Sequence, residues 1–348
     1  MSGLENRKQY IDILRALAAI GVIFIHVSAQ NWYGYVGSTN WIVFTIYEGL
    51  FRFSVPVFFM ISGCLFLNSK KEKQIKALYS NSIKKLVLFL LFWALVYKVV
   101  QISRNEFSAS KIIDILIEII RGDTQAHLWF LYSLIGLYIL VPLLKPAVQN
   151  STKEQLAYIV TACFILGSIC EFLGQFQVMG MFTNIFNKVK SGFSVGYVGY
   201  FLLGAYIDKY NIDNKHRKLV YLFGVLGTVM TIGLVIWDCV YTQTLNERFW
   251  SYTMPWVYLT SAALFLAIRN VHLSENNIYK AIAEISNKSR GVYGVHFLFI
   301  LIFWKVGFST FSFIGILSVP VISAIVVVLS YFFSALLMRI PVVGKYIA

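Results

Sequence analysis

The stretch "RALAAIGVIFIH", Arg15 to His26, sets the terms on which the rest of the chain is read. Ten uncharged, mostly apolar residues separate a guanidinium from an imidazole, in a run that reads as a membrane helix. Eleven positions on an α-helix make three turns plus about 20°, so both side chains leave one face, roughly 16 Å apart along the axis. Asp12, three residues before Arg15, falls on nearly the same face and is placed to pair with it. Ionisable groups at membrane depth are costly and commonly line a pathway or a site. A lone membrane histidine also serves simply to bond a neighbouring helix; the aligned arginine favours the functional reading.

The surrounding composition agrees with a membrane origin for this helix. The 348 residues have a mean hydropathy of +0.69, are 58% hydrophobic and only 13% charged, whereas a soluble domain carries about a quarter charged residues. Apolar runs recur at about 11–30, 42–67, 86–102, 127–144, 155–174, 192–208, 219–240, 252–269, 289–306 and 314–338, each close to the length that crosses a bilayer. The expected fold is therefore an all-α integral membrane protein with about ten transmembrane helices. The first run carries Asp12 and Arg15 and lacks a small-residue cleavage site, which argues against a cleaved signal sequence.

A net charge of +14 would suggest nucleic acid in a soluble protein. Here the distribution matters more. With ten spans, twenty Lys and Arg side chains fall on the side of the termini, among them the cluster "KKEKQIKALYSNSIKK", and six fall on the other. The positive-inside rule then puts both termini in the cytoplasm of a multi-pass protein of the cell membrane. The basic excess serves topology and attraction to anionic headgroups, and nucleic acid is not expected as a partner. Cys64, Cys163, Cys170 and Cys239 fall within spans or at their ends without a CxxC pair, and read as small buried hydrophobes. No metal site is expected.

Between Ser103 and Ala126, "KIIDILIEII" places Lys111, Asp114, Glu118 and Arg121 on one stripe of a short helix, which reads as lying in the membrane interface. The tail after Met338 is short, so a single transmembrane domain over 1–348 with no attached soluble domain is expected. His216 and His272 fall in basic-side loops and need no special account.

Four segments in register carry a resemblance to acyltransferase family 3. The first is the basic residue, ten residues and histidine of Arg15 and His26. The others are "RFSVPVFFMISG" (Arg52 to Gly63), "HLWFLYSLIGLYILVPLL" (His127 to Leu144) and "SRGVYGVHFLFI" (Ser289 to Ile300). The resemblance spans essentially the whole chain. It implies a membrane enzyme that moves an acyl group, usually acetyl from cytoplasmic acetyl-CoA, to a hydroxyl of a cell-surface polysaccharide or its lipid-linked precursor. No permanently bound cofactor is implied; the acyl-CoA is a donor substrate. Two positions depart from the family pattern. An arginine pair that often enters span three is Lys84–Lys85 here, and lysine lacks the bidentate fork for phosphate. A glutamate common in the fourth-span motif is missing from "WFLYSLIGLY", the form seen in the standalone glycan-acetylating branch.

On that resemblance His26 is the natural general base, since a sugar hydroxyl is a weak nucleophile and an imidazole near pKa 6.5 can take its proton. Glu48, at about the same depth, is a candidate to orient the imidazole as the acid of a triad does and also to pair with Arg52 four residues on, roles that do not exclude each other. Arg15, Lys84 and Lys85 suit the phosphates of CoA at the inner rim. Ser62 and Gly63 either flank the donor or serve helix packing. Arg52, His127, Trp129, Tyr293 and His296 are candidates for holding substrate; for His127 and Trp129 the alternative is the interfacial belt, and for Tyr293 and His296 it is buried hydrogen bonding. Direct transfer and an acyl relay through an enzyme group both remain open, as does a homodimer. The rival function is a transporter or exporter of a glycan or amino acid, which intramembrane charge also suits.

Overall fold

In the computed structural model, residues 8–70, 75–101, 109–175, 192–271, 273–274, 276–341 and 344–348 are described. Arg7, Lys71, Lys73, Arg104, Lys188, Lys190 and His272 lie outside them, as do residues 103–108 of the expected interfacial segment. Every regular element among the described residues is helical. They are α1 (Gln9–Ala29), α2 (Thr39–Phe51), α3 (Ser54–Leu67), α4 (Lys84–Gln101), α5 (Ala109–Arg121), α6 (Trp129–Asn150), α7 (Lys153–Leu173), α8 (Gly192–Lys209), α9 (Asn214–Thr242), α10 (Pro255–Arg269), α11 (Asn277–Lys305), α12 (Gly315–Met338) and α13 (Gly344–Ile347). Short helical turns at Ile75–Ala77, Leu78–Ile83 and Arg248–Trp250 complete the set.

Among the described residues, seven helical segments are long and apolar enough to cross a membrane: α1, the α2–α3 pair, α6, α7, α9, Arg248–Arg269 and α12. The chain is thus a multi-pass membrane protein, and seven of the ten expected spans coincide with helices of this kind among the described residues. The remaining expected spans coincide with α4, α8 and α11. α4 is apolar but holds three lysines, Lys84, Lys85 and Lys98, whereas a run of Gly and Tyr in α8 and Ser289, Arg290 and His296 in α11 dilute the hydropathy of those two.

Local sequence sets the helix ends. Ser38 caps α2 by accepting from Trp41 N, and Thr152 and Gln155 form a reciprocal capping box on α7. Asp213 and Asn276 cap α9 and α11 in the same way. The span expected at 42–67 is broken rather than continuous. Pro56 has no N–H for the carbonyl of Arg52, four residues back, and the helix interrupts at Arg52–Phe53. Ser54 Oγ donates to Phe51 O at 2.7 Å and satisfies one of the freed carbonyls.

α1 is the central post, packed against α2, α3, α10, α11 and α12. Its basic end is tied down by Asp208 at the end of α8. That carboxylate accepts from Lys8 at 2.6 Å, from Asn68 at 2.7 Å and from the Tyr10 hydroxyl. α3 and α8 make the closest pairing in the bundle. Gly63 lies against the Phe201 carbonyl and Gly204 against the Met60 carbonyl, where any Cβ would collide with backbone. Such small-residue contacts are how helices associate where lipid is as apolar as their own side chains. The amphipathic α5 buries Ile115 and Ile119, exposes Ile113 and Ile120, and is pinned by Glu118 to Lys98 of α4 at 2.6 Å.

Gly63→Ala should force α3 and α8 apart at an overpacking cost of about 2–3 kcal/mol, seen as a lower melting temperature of the detergent-solubilised protein. Gly136→Ala, where the added methyl meets nothing within 4 Å, should not lower the melting temperature and should raise it slightly, as alanine favours a helix interior.

Candidate active site

Arg15 and His26 of α1 lie at two ends of one internal assembly. Near the basic end, a cavity of about 440 Å³ opens between α1, α3, α4, α6 and α11, within the size range of pockets for small molecules and cofactors. Arg15, Lys85 and Arg290 contribute cations to its wall, Ser62, Asn81 and Ser289 uncharged polar groups, and Phe58, Phe130 and Tyr293 close its far end. A second cavity of about 590 Å³ shares Arg15, Lys85, Ser289 and Arg290 with the first and adds Lys345. Together they form a basic mouth leading to an apolar tunnel.

The two arginines are held by their surroundings. Arg15 donates to Ser286 Oγ at 3.4 Å, and Ser286 in turn donates to the buried Asp12 at 2.7 Å, with Tyr279 adding a second donor at 3.1 Å. Arg290 donates to the Ala348 and Lys345 carbonyls, each at 2.9 Å, which sets α13 against the mouth. Asn81 and Ser82 reach the cavity from a π-helical turn, Leu78–Ile83, that opens α4; such turns recur at functional sites.

Tyr293 separates this cavity from a cluster of three imidazoles. His26, His127 and His296 meet with ring centroids 5.9 Å (His26 to His127), 5.3 Å (His26 to His296) and 5.0 Å (His127 to His296) apart. The Tyr293 ring is 5.5 Å from His127 and 5.9 Å from His296, and its hydroxyl donates to the His127 carbonyl. Phe297 and Tyr97 close the nest around His127. His127 and His296 are 2% and 0% exposed. Both ring nitrogens of His127, and Nε2 of His296, have no hydrogen-bond partner among the described residues. Buried polar atoms are rarely left so, and a nest of them facing one another marks a place where a polar ligand or a moving proton would be received.

The helix break turns Arg52 inward beside this nest. Its Nε donates to Trp250 O at 2.9 Å, its Nη1 to Glu48 Oε1 at 2.7 Å, and its guanidinium lies over the rings of Trp250 and Tyr252, 5.1 and 4.6 Å from their centroids. Tyr252 continues into Trp129 at 5.6 Å and Trp129 into Tyr197 at 5.6 Å. The result is an aromatic wall joined to a buried ion pair.

The sequence-derived residues therefore separate into groups. Arg15, Ser62 and Lys85 line the cavity, and Tyr293 ends it; His127 and His296 join His26; Arg52 and Trp129 belong to the aromatic wall. Three do not stand where the donor and triad roles put them. Glu48 gives one oxygen to Arg52 and its other has no partner among the described residues, so it makes no hydrogen bond to His26. Gly63 packs on α8 and is absent from both cavity walls, and Lys84 is exposed outside them. One helical step, about 100°, turns Lys84 away from the face that carries Lys85. Arg290 and Asn81 were missed. Arg290 stood inside the fourth motif, and a file of 290, 293 and 296 at helical spacing was the signal for it.

A family model described as an acyltransferase domain, of the family-3 type, matches residues 8–339. No curated protein and no solved structure matches the chain.

Replacing Glu48 by Leu leaves the Arg52 charge buried and unpaired, which should destabilise the protein by about 3–5 kcal/mol. Glu48→Leu combined with Arg52→Met should recover most of that loss. Thermal melting of the single and double variants in detergent checks both outcomes.

Proposed function

The chain belongs to acyltransferase family 3, and on that premise we propose that it is an O-acyltransferase of the cell membrane. The donor in this reading is cytoplasmic acetyl-CoA and the acceptor a hydroxyl of a cell-surface polysaccharide or its lipid-linked precursor. The observation that carries it is the continuous order of basic mouth, apolar tunnel, Tyr293 and histidine cluster. Phosphates need cations, a pantetheine arm needs a narrow mostly apolar channel, and a thioester attacked by a sugar needs a base kept from bulk water.

In this reading Arg15, Lys85 and Arg290 take the phosphates, and the arm passes Ser62 toward Tyr293. Both cavities end short of His26, so Tyr293 and its neighbours give way when the thioester enters. His26 accepts the proton of the sugar hydroxyl while the oxygen bonds to the thioester carbonyl carbon. The carbon–sulfur bond then breaks with its electron pair on sulfur, and the proton on His26 passes to the thiolate, so that an acetyl ester and free CoA leave. The aromatic wall of Trp129, Tyr197 and Tyr252 offers ring faces to the sugar, with Arg52 as its hydrogen-bonding and charged edge.

Purified protein in proteoliposomes should release CoA from acetyl-CoA only when envelope glycan is supplied, with acetyl ester found on the glycan by mass spectrometry. His26→Ala should lower the rate about a hundredfold or more at equal protein level. Uptake or export that persists in His26→Ala, with no acyl group on the sugars, would establish the transporter instead. Lys85→Ala should raise KM for acetyl-CoA about tenfold, as loss of one charge-assisted contact does, while Lys84→Ala leaves it unchanged. Initial rates against donor concentration test the pair.

A further inference from the structure

A histidine base must hold its lone pair toward the attacking hydroxyl, and it does so when the other ring nitrogen is fixed by a partner. Glu48 bonds Arg52 through one oxygen, and neither oxygen bonds His26. What the His26 ring faces is His127, His296 and Phe297.

The two neighbouring imidazoles are not equivalent. Nδ1 of His296 lies 2.8 Å from the carbonyl oxygen of Tyr293. A carbonyl only accepts, so this nitrogen carries the proton and donates, and the lone pair is fixed on Nε2. That Nε2 is buried and has no donor among the described residues. His127 has no such lock, because neither of its ring nitrogens is bonded there; its backbone carbonyl is what Tyr293 holds. Distance supports the same choice. A hydrogen bond of about 3 Å, with about 1 Å more from each nitrogen to its ring centre, puts two bonded imidazoles roughly 5 Å apart. The His26 and His296 centroids are 5.3 Å apart, with ring planes inclined by 33°. That separation is within reach of a bonded pair.

We infer that His296 is the positioning residue for His26: its Nε2 accepts the N–H of His26 and thereby turns the other nitrogen of His26, with its lone pair, to the acceptor hydroxyl. The inference rests on the acyl-transfer reading above. His296 takes no proton in the reaction. The hydroxyl proton goes to His26 as the new carbon–oxygen bond forms and leaves with the thiolate as free thiol, while the His296 lone pair stabilises the imidazolium in between. The chain of contacts is thus Tyr293 carbonyl, His296, His26 and substrate hydroxyl.

The test compares His296→Phe with His296→Gln in the full-length protein, reconstituted in proteoliposomes with acetyl-CoA and envelope glycan. Phenylalanine keeps a ring in an aromatic nest but removes the acceptor. Glutamine fits the nest less well yet carries an oxygen near the place of Nε2. The expected result is a fall in kcat of about a hundredfold or more for His296→Phe, with KM for acetyl-CoA unchanged, and recovery of at least about tenfold of that loss in His296→Gln. His296→Leu replaces the phenylalanine variant if that one does not fold. A His296→Phe enzyme within about twofold of the natural rate, or one faster than His296→Gln at matched melting temperature, overturns the positioning role. The wild-type protein separates the two readings. If it moves no acetyl group, the acyl-transfer reading fails and takes this inference with it; if it is active and indifferent to loss of the acceptor, only the positioning role fails.

Discussion

An imidazole carried into lipid loses the water that would bond its two nitrogens, and the helix that carries it must supply a replacement or accept the cost. In this chain three imidazoles, from α1, the turn just before α6 and α11, are turned toward one another and walled off by Tyr97, Tyr293 and Phe297. That mutual facing constrains much of the architecture. α1 has to be the central post because it carries one member of the cluster and the arginine below it. α11 has to lie against α1 because Arg290, Tyr293 and His296 share one of its faces, and their neighbours Gly291 and Gly294 let α12 and α4 approach closely. The polar content of α11 lowers its hydropathy in the same measure as it furnishes the site.

This trade explains what could be read from residues alone. The helical class and the central helix were legible because a long apolar run and an eleven-residue spacing are one-dimensional signals. The three expected spans that carry the most charge or the lowest hydropathy, α4, α8 and α11, bring Lys85 and Tyr97, Tyr197, and Arg290, Tyr293 and His296 to the candidate site. Helices that face an internal cavity need fewer apolar side chains than helices that face lipid, so hydropathy weakens where function concentrates. Periodicity also names the face of a residue but not its neighbour. Lys84 and Lys85 look equal as a basic pair, and only the orientation of α4 in the bundle, which turns Lys85 to the cavity, separates them. Gly63 was compatible with ligand or with packing until the Phe201 backbone was found against it. The choice between Arg52 and His26 as partner of Glu48 was open for the same reason; an i,i+4 ion pair is local, and the local partner won.

The break at Arg52–Phe53 shows how a local defect serves a distant group. A continuous helix through this region would carry Arg52 at a fixed angle set by its neighbours. Pro56 releases the turn above it, and Arg52 then reaches the Trp250 carbonyl and lies over two aromatic rings. A guanidinium is weakly hydrated and planar, so it tolerates such a setting better than an ammonium would. Charge, ring faces and a bound carboxylate are thereby gathered on one side of the histidine nest, while the cations of the cavity mouth remain on the other.

Why both ends of the route should hang on one helix follows from stiffness. Loops and side chains shift, but the axial separation of two residues on an unbroken α-helix is fixed by its rise, about 1.5 Å per residue. α1 contains neither proline nor a turn between Arg15 and His26. The cation at the mouth and the imidazole in the nest therefore stay about 16 Å apart along the axis, whatever α3, α4 and α11 do to admit a ligand between them. In the acyl-transfer reading proposed above, opening at Tyr293 would leave unaltered the distance over which a bound donor has to reach. A cavity whose walls move needs one wall that does not, and the ten residues between that arginine and that histidine supply it.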